Sequence, residues 1–284
     1  MTGIRNDQQW WNRFWDEKAR TRVGLEPGQD DSTWFGLVWS VALEYLQDLF
    51  DRRAPGKSLL ESGCGSARVS RHMALSGGYD CTMLDYSRPA LQLAVSGFAE
   101  SGLPGRFLVG DINHLCFEDG RFDVAYCGGV IEFFSDIRAP IREMVRVLKP
   151  GGVFAATIVP RKFSVQTIAD WERTAAYSMN NILKRNFREA FKRARSIPPD
   201  YAVSSAPLEG YVAACRDAGL VDVVGLCATP FPALALPRFG QKYYARLMKA
   251  MKPAWRRFNR SQSRFSKRWG MSYVIHGIKG PLKP

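Results

Sequence analysis

The stretch Lys57-Ser58-Leu59-Leu60-Glu61-Ser62-Gly63-Cys64-Gly65-Ser66-Ala67 constrains this chain more than any other segment. An apolar run rising to a carboxylate, then two glycines one residue apart, then a helical pattern, reads as a buried strand, a tight turn and a helix start. Glycines at such a junction let the backbone come close to a ligand, as nucleotide-binding folds require. The neighbouring residues narrow that ligand. A dinucleotide fold would place its third glycine at position 68, where this chain has Arg68, too bulky for close helix–strand packing. Glu61 would also turn a negative charge toward a pyrophosphate. A phosphate-free ligand with a cationic head fits the junction better.

Further along, Tyr79 to Asp85 reads as a second strand ending in an acid, 24 residues beyond Glu61. That spacing suits a group binding a ribose, because one carboxylate can accept from both vicinal hydroxyls. Phe107 to Ile112 contains Asp111 at the end of a third strand, and Phe122 to Val130 reads as a fourth. Val145 to Phe154 reads as a helix end, a Pro-Gly-Gly reversal and the start of a fifth strand. Taken singly, each acid equally suits an ordinary turn or helix cap.

In this order the motifs resemble those of class I S-adenosylmethionine-dependent methyltransferases, across roughly residues 55–160, with a looser match at 207–230 and 271–280. The resemblance implies S-adenosylmethionine as cofactor, held by Glu61, Gly63 and Gly65, with Ala67 where the family usually has a third glycine. It implies a ribose on Asp85 beside Tyr86, an adenine amino group on Asp111 beside Ile112, and the methionine part near Cys127 on the fourth strand. Cys64 and Cys127 also suit a role as small apolar fillers. Family members often carry Glu-His after the fourth strand; here it is Glu132-Phe133. Glu132 is thus the candidate general base or substrate contact, with a structural acid as the alternative.

The expected fold is α/β: a doubly wound, Rossmann-like, mostly parallel seven-stranded sheet with helical insertions. Residues 1–54 read as an N-terminal helical cap and 55–160 as the cofactor-binding core. Residues 161–206 read as a helical lid, with Ile182, Leu183, Phe187, Phe191 and Ala194 as its apolar stripe. The core resumes at 207–230, is interrupted by a basic amphipathic insertion at 231–270, and closes with a last strand and tail at 271–284.

Charge is distributed unevenly along this plan. The chain of 284 residues carries a net +13, yet Phe231 to Gly270 alone holds eleven Lys and Arg and no acid. Within that insertion Phe239, Tyr243, Tyr244, Leu247, Met248 and Met251 recur at helical spacing, with Lys242, Arg246, Lys249 and Lys252 on other faces. Three readings stand: a helix lying in a membrane interface, a surface helix packed on the domain, or a nucleic-acid contact. With no apolar signal segment, no span-length apolar run and no Cys-x-x-Cys pair, a cytoplasmic enzyme is expected, with peripheral contact at the inner membrane surface as an extension. The expected activity is methyl transfer to a small or medium-sized, largely apolar acceptor of natural-product, isoprenoid or lipid type. The rivals are RNA methylation and a non-catalytic protein that binds through this fold. Three scattered histidines give no metal-ligand spacing.

Overall fold

The computed structural model describes residues 8–21, 32–188, 206–234, 236 and 238–281. Its strands are β1 (Ser58–Ser62), β2 (Asp80–Asp85), β3 (Arg106–Val109), β4 (Phe122–Gly128), β5 (Leu148–Ile158), β6 (Leu220–Ala228) and β7 (Ser272–Lys279). They form one sheet in the order β3-β2-β1-β4-β5-β7-β6. β1 to β5 pair in parallel, and β7 runs antiparallel between β5 and β6. The expected doubly wound, mostly parallel seven-stranded sheet is therefore present.

Burial on both faces explains the near-continuous apolar strands. Leu59, Cys81, Met83, Val124 and Tyr126 face one way, into a core closed by α2 (Trp34–Arg53), α3 (Arg68–Gly77) and α4 (Arg88–Glu100). Leu60, Leu84, Ala125, Cys127 and Phe154 face the other, against α5 (Arg138–Arg146) and α7 (Leu208–Asp217). This alternation is the two-residue period of a strand. β5 begins at Leu148, ahead of the Pro-Gly-Gly reversal, because Leu148 already pairs with Phe122 before the register shifts ahead of Val124.

Three further parts lie outside this sandwich. α1 (Gln8–Thr21) crosses the carboxyl edge of the sheet, its Gln8 Nε2 donating to the Tyr86 carbonyl at 2.8 Å. α6 (Val165–Leu183) follows β5 inside the expected lid; residues 189–205, with Phe191 and Ala194, lie outside the described residues. Here the sequence expectation needs correction. α6 buries Val165, Gln166, Ala169, Asp170 and Thr174, while Ile182, Leu183 and Phe187 are exposed. The polar part of its inner face binds backbone: Gln166 Oε1 accepts from Ala233 N at 3.4 Å, and Arg173 Nη2 donates to the Ala233 carbonyl at 2.6 Å.

The basic insertion forms α8 (Arg238–Ala250), α9 (Lys252–Asn259) and α10 (Arg264–Trp269). Pro253 follows the end of α8 and sits in the first turn of α9, where a missing N–H costs nothing. Its apolar residues do not form one stripe. Ala245, Met248 and Trp255 are buried against Leu37 and Val41 of α2, with Tyr244 packed beside them. Phe239, Tyr243 and Leu247 point outward. The acids that the insertion lacks are supplied by α2: Glu44 pairs with Lys252 at 2.9 Å and Arg256 at 2.8 Å, and Asp48 with Arg260 at 3.1 Å. Part of the basic charge is thus intramolecular docking charge.

Candidate active site

Glycine is required twice at the junction after β1. Gly63 has φ 67° and Gly65 φ 54°, the left-handed region that side chains disfavour. A Cβ on Gly63 would collide with Val130, and one on Gly65 would lie 2.5 Å from Cζ2 of Trp15. Ala67 shares this conformation at φ 52°, which accounts for glycine as the usual residue there. The turn is tied to the end of β2, since Gly63 N and Cys64 N both donate to the Leu84 carbonyl, at 2.7 and 3.1 Å.

Asp85 closes this arrangement. Its Oδ2 accepts from Gly65 N and its Oδ1 from Ser87 N, each at 2.8 Å, and burial raises its pKa. Glu61 accepts from Ser70 N at 2.8 Å at the start of α3, and burial pushes its carboxyl up to about 7. The two acids expected to hold the cofactor therefore brace the turn from opposite sides. Asp111 sits just beyond β3, where its Oδ1 accepts from Asn113 N at 2.9 Å and Asn113 Nδ2 at 3.0 Å.

Asp85, Tyr86, Asp111 and Ile112 line one cleft of about 750 Å³ at the carboxyl edge, together with Gly63, Gly128 and Val130. This is the edge where open α/β sheets take their ligands. Cys127 is not part of it: its side chain is buried in the core, and the bare backbone of Gly128 and Gly129 reaches the cleft instead. Glu132 lines neither this cleft nor its neighbour. Its Oε1 accepts from Val159 N at 2.9 Å, linking the ends of β4 and β5, and burial lifts its carboxyl to about 7.

A second cavity of about 810 Å³ adjoins the first, sharing Gly63, Gly128 and Trp15. Glu61, Arg68, Lys18 and Tyr126 give it polar groups of both signs, among the rings of Phe35 and Trp39. Arg68 begins α3, and its guanidinium lies 5.0 Å from the Phe35 ring and 4.6 Å from the Trp39 ring. α2 thus makes room for the bulk that seemed out of place at this junction. Trp11 and Trp15 of α1 wall the cleft, with Trp11 edge-on to Phe133 at 5.0 Å. The four-residue step from Trp11 to Trp15 is the signal in the sequence for this shared wall.

Strand order 3-2-1-4-5-7-6 with an acid-flanked glycine turn after β1 and acids after β2 and β3 defines the class I S-adenosylmethionine-dependent methyltransferases. Residues 60–156 match the family model described as Methyltransferase domain, and the chain carries a domain of that class. Ubiquinone biosynthesis O-methyltransferase of Proteus mirabilis is 33% identical over 118 residues, 41% of this chain and 47% of that protein. Malonyl-[acyl-carrier protein] O-methyltransferase of Salmonella typhimurium is 35% identical over 100 residues, 35% of this chain and 38% of that protein. The matches thus span less than half the length of these curated relatives. Among solved structures, the [4+2]-cyclase SpnF superposes with a TM-score of 0.57 at 19% identity, covering 96% of each chain. That likeness concerns the fold alone.

Proposed function

We propose that this protein transfers a methyl group from S-adenosylmethionine to a small or medium-sized, largely apolar acceptor. The observation that carries the reading is a pair of adjoining cavities meeting at Gly63, Gly128 and Trp15, with a buried carboxylate on each side of the glycine turn. The cleft suits adenosine: Asp85 for the vicinal hydroxyls, Asp111 for the exocyclic amine, Tyr86 and Ile112 for the faces of the base. The adjoining cavity suits the amino-acid end, with Glu61 for the ammonium and Arg68 and Lys18 for the carboxylate.

When bound, the sulfonium supplies an electrophilic methyl carbon. The residues of this chain contribute placement and exclusion of water. Trp11, Trp15 and Phe133 cover the reacting region with apolar surface, and such confinement in a productive geometry lowers a displacement barrier by several kcal/mol. Tyr126 is held by Thr157, its hydroxyl donating to Oγ1 at 3.2 Å. Glu132, bound to Val159 N and lining neither cavity, serves as a brace between strand ends rather than as a base.

The apolar rings around the cleft favour an apolar acceptor, and a relative named for ubiquinone biosynthesis supports that class. The test is incubation with methyl-labelled S-adenosylmethionine and fractionated lysate. Label entering a lipid-extractable small molecule is the expected result. Label confined to RNA, or no transfer to any fraction by a protein that binds the cofactor, would overturn it.

A further inference from the structure

α6 is apolar on the side that faces out. Its buried side mixes Val165 and Ala169 with Gln166, Asp170 and Thr174, and Ile168, Trp171, Ala175, Met179 and Ile182 recur at three- and four-residue steps along the exposed face. Met179 is 59% exposed and Trp171 54%, with Leu183 at the helix end 76% exposed. α8 repeats the pattern on a smaller scale. Its buried side is occupied by Ala245 and Met248, yet Phe239, Tyr243 and Leu247 at four-residue steps are 74%, 53% and 57% exposed. A solvated helix face is ordinarily polar, so two apolar ones on neighbouring helices mark a contact surface.

Topology places both helices at one edge of the sheet. β5 and β6 run in the same direction, and α6 and α8 follow their carboxyl ends, the edge that carries the cleft. Two adjacent carbonyls join them: Tyr244 Oη donates to Pro232 and Arg173 Nη2 to Ala233, at 2.8 and 2.6 Å, while Trp34 Nε1 of α2 donates to the preceding Phe231 carbonyl at 3.1 Å.

The charge at the borders of these faces has one sign. Lys184, Arg185 and Arg188 stand exposed at the end of α6, and Lys242 and Arg246 on the outer side of α8. Among the described residues of 161–188 and 231–270 there is no exposed acid; Asp170 is buried and Glu172 half-buried. Apolar stripes edged by cations match a lipid interface, which offers acyl chains and phosphates in adjacent layers. Nucleic acid would use the cations but has no use for Ile168, Met179 or Leu247.

We infer that the outer faces of α6 and α8 dock the protein on an anionic membrane surface, with the cleft edge toward the lipid. The inference is independent of what the cleft binds. Full-length protein is mixed with vesicles of phosphatidylcholine alone, or with about one-third phosphatidylglycerol, and sedimented. Expected is retention by the anionic vesicles that declines as salt rises past about 0.15 M, where screening acts within ~8 Å. Trp171→Ser with Leu247→Ser, and separately Lys242→Gln with Arg246→Gln, each weaken retention on the order of tenfold, because an interfacial helix needs both its apolar and its cationic side. All four residues lie outside the cavities, so S-adenosylhomocysteine titration of each variant reads the same affinity as wild type and reports a failure of the cofactor site separately. No retention by anionic vesicles at low salt would overturn the inference. Three other results would do the same: retention indifferent to the apolar pair, binding to an RNA homopolymer at equal strength, and self-association abolished by the apolar pair.

Discussion

Asp85→Ala tests the cofactor site at its most connected residue. The carboxylate is only 8% exposed and already accepts from Gly65 N and Ser87 N at 2.8 Å. Two kinds of loss follow. In the protein without ligand, two amides near the cleft lose their acceptor; each orphaned donor costs about 1–3 kcal/mol, and water entering from the cleft keeps the sum near the low end, about 2 kcal/mol. In the complex, two ribose hydroxyls lose a charged acceptor, each such bond contributing about 1.5–3 kcal/mol. Rehydration of the hydroxyls offsets part of that, leaving a net loss of about 2–4 kcal/mol, or roughly 30- to 1000-fold in Kd. Calorimetric titration with S-adenosylhomocysteine measures the second loss, and denaturant unfolding measures the first. Asp85→Asn, which keeps one carbonyl acceptor, falls between wild type and alanine in both. A folded Asp85→Ala protein binding within about threefold of wild type would refute the ribose assignment.

Other consequences separate packing from surface and charge from burial. Met248→Ala removes a side chain with no exposure from between α8 and α2 and costs about 2–4 kcal/mol by denaturant unfolding. Leu247→Ser, one residue along and 57% exposed, stays within about 0.5 kcal/mol of wild type. Glu132 and Glu61, both raised to about 7 by burial, hold protons in the folded state at pH values where the unfolded chain has lost them. Their contribution to stability is therefore fully present below about pH 4.5 and is lost as pH rises through about 7. Glu132→Gln, which keeps the acceptor for Val159 N, flattens that decline and leaves the protein more stable than wild type at pH 8; an unchanged pH profile would contradict the burial argument.

Local chemistry made the core of this fold legible. A glycine turn announces itself because φ 67° and 54° favour glycine and a Cβ there would collide with Val130 or Trp15, and Asp85 and Asp111 fall at or just beyond the ends of strands whose apolar runs are plain. What the sequence hid depends on residues far apart in the chain. The eleven cations of 231–270 looked unopposed because Glu44 and Asp48, which meet three of them, lie about 200 residues earlier. Trp15 packs on Gly65 from 50 residues earlier, a contact no periodicity encodes. Periodicity located α6 but did not show which side is buried, since part of its inner side is occupied with the backbone of Ala233. Arg68 seemed a misfit for the turn only while the rings of Phe35 and Trp39 were out of view. Strand alternation turns the Cys127 side chain into the core and leaves Gly128 to line the cleft.

The most direct test of the central claim is amide hydrogen exchange on the wild-type protein with and without saturating S-adenosylhomocysteine. Expected is binding of one molecule per chain, with slowed exchange at Gly63 to Ser66, at Asp85 to Ser87 and at Asp111 to Asn113, and with α8 and α9 unchanged. No binding at millimolar ligand, or protection that appears elsewhere and spares these three turns, would contradict a cofactor site at the carboxyl edge of the sheet.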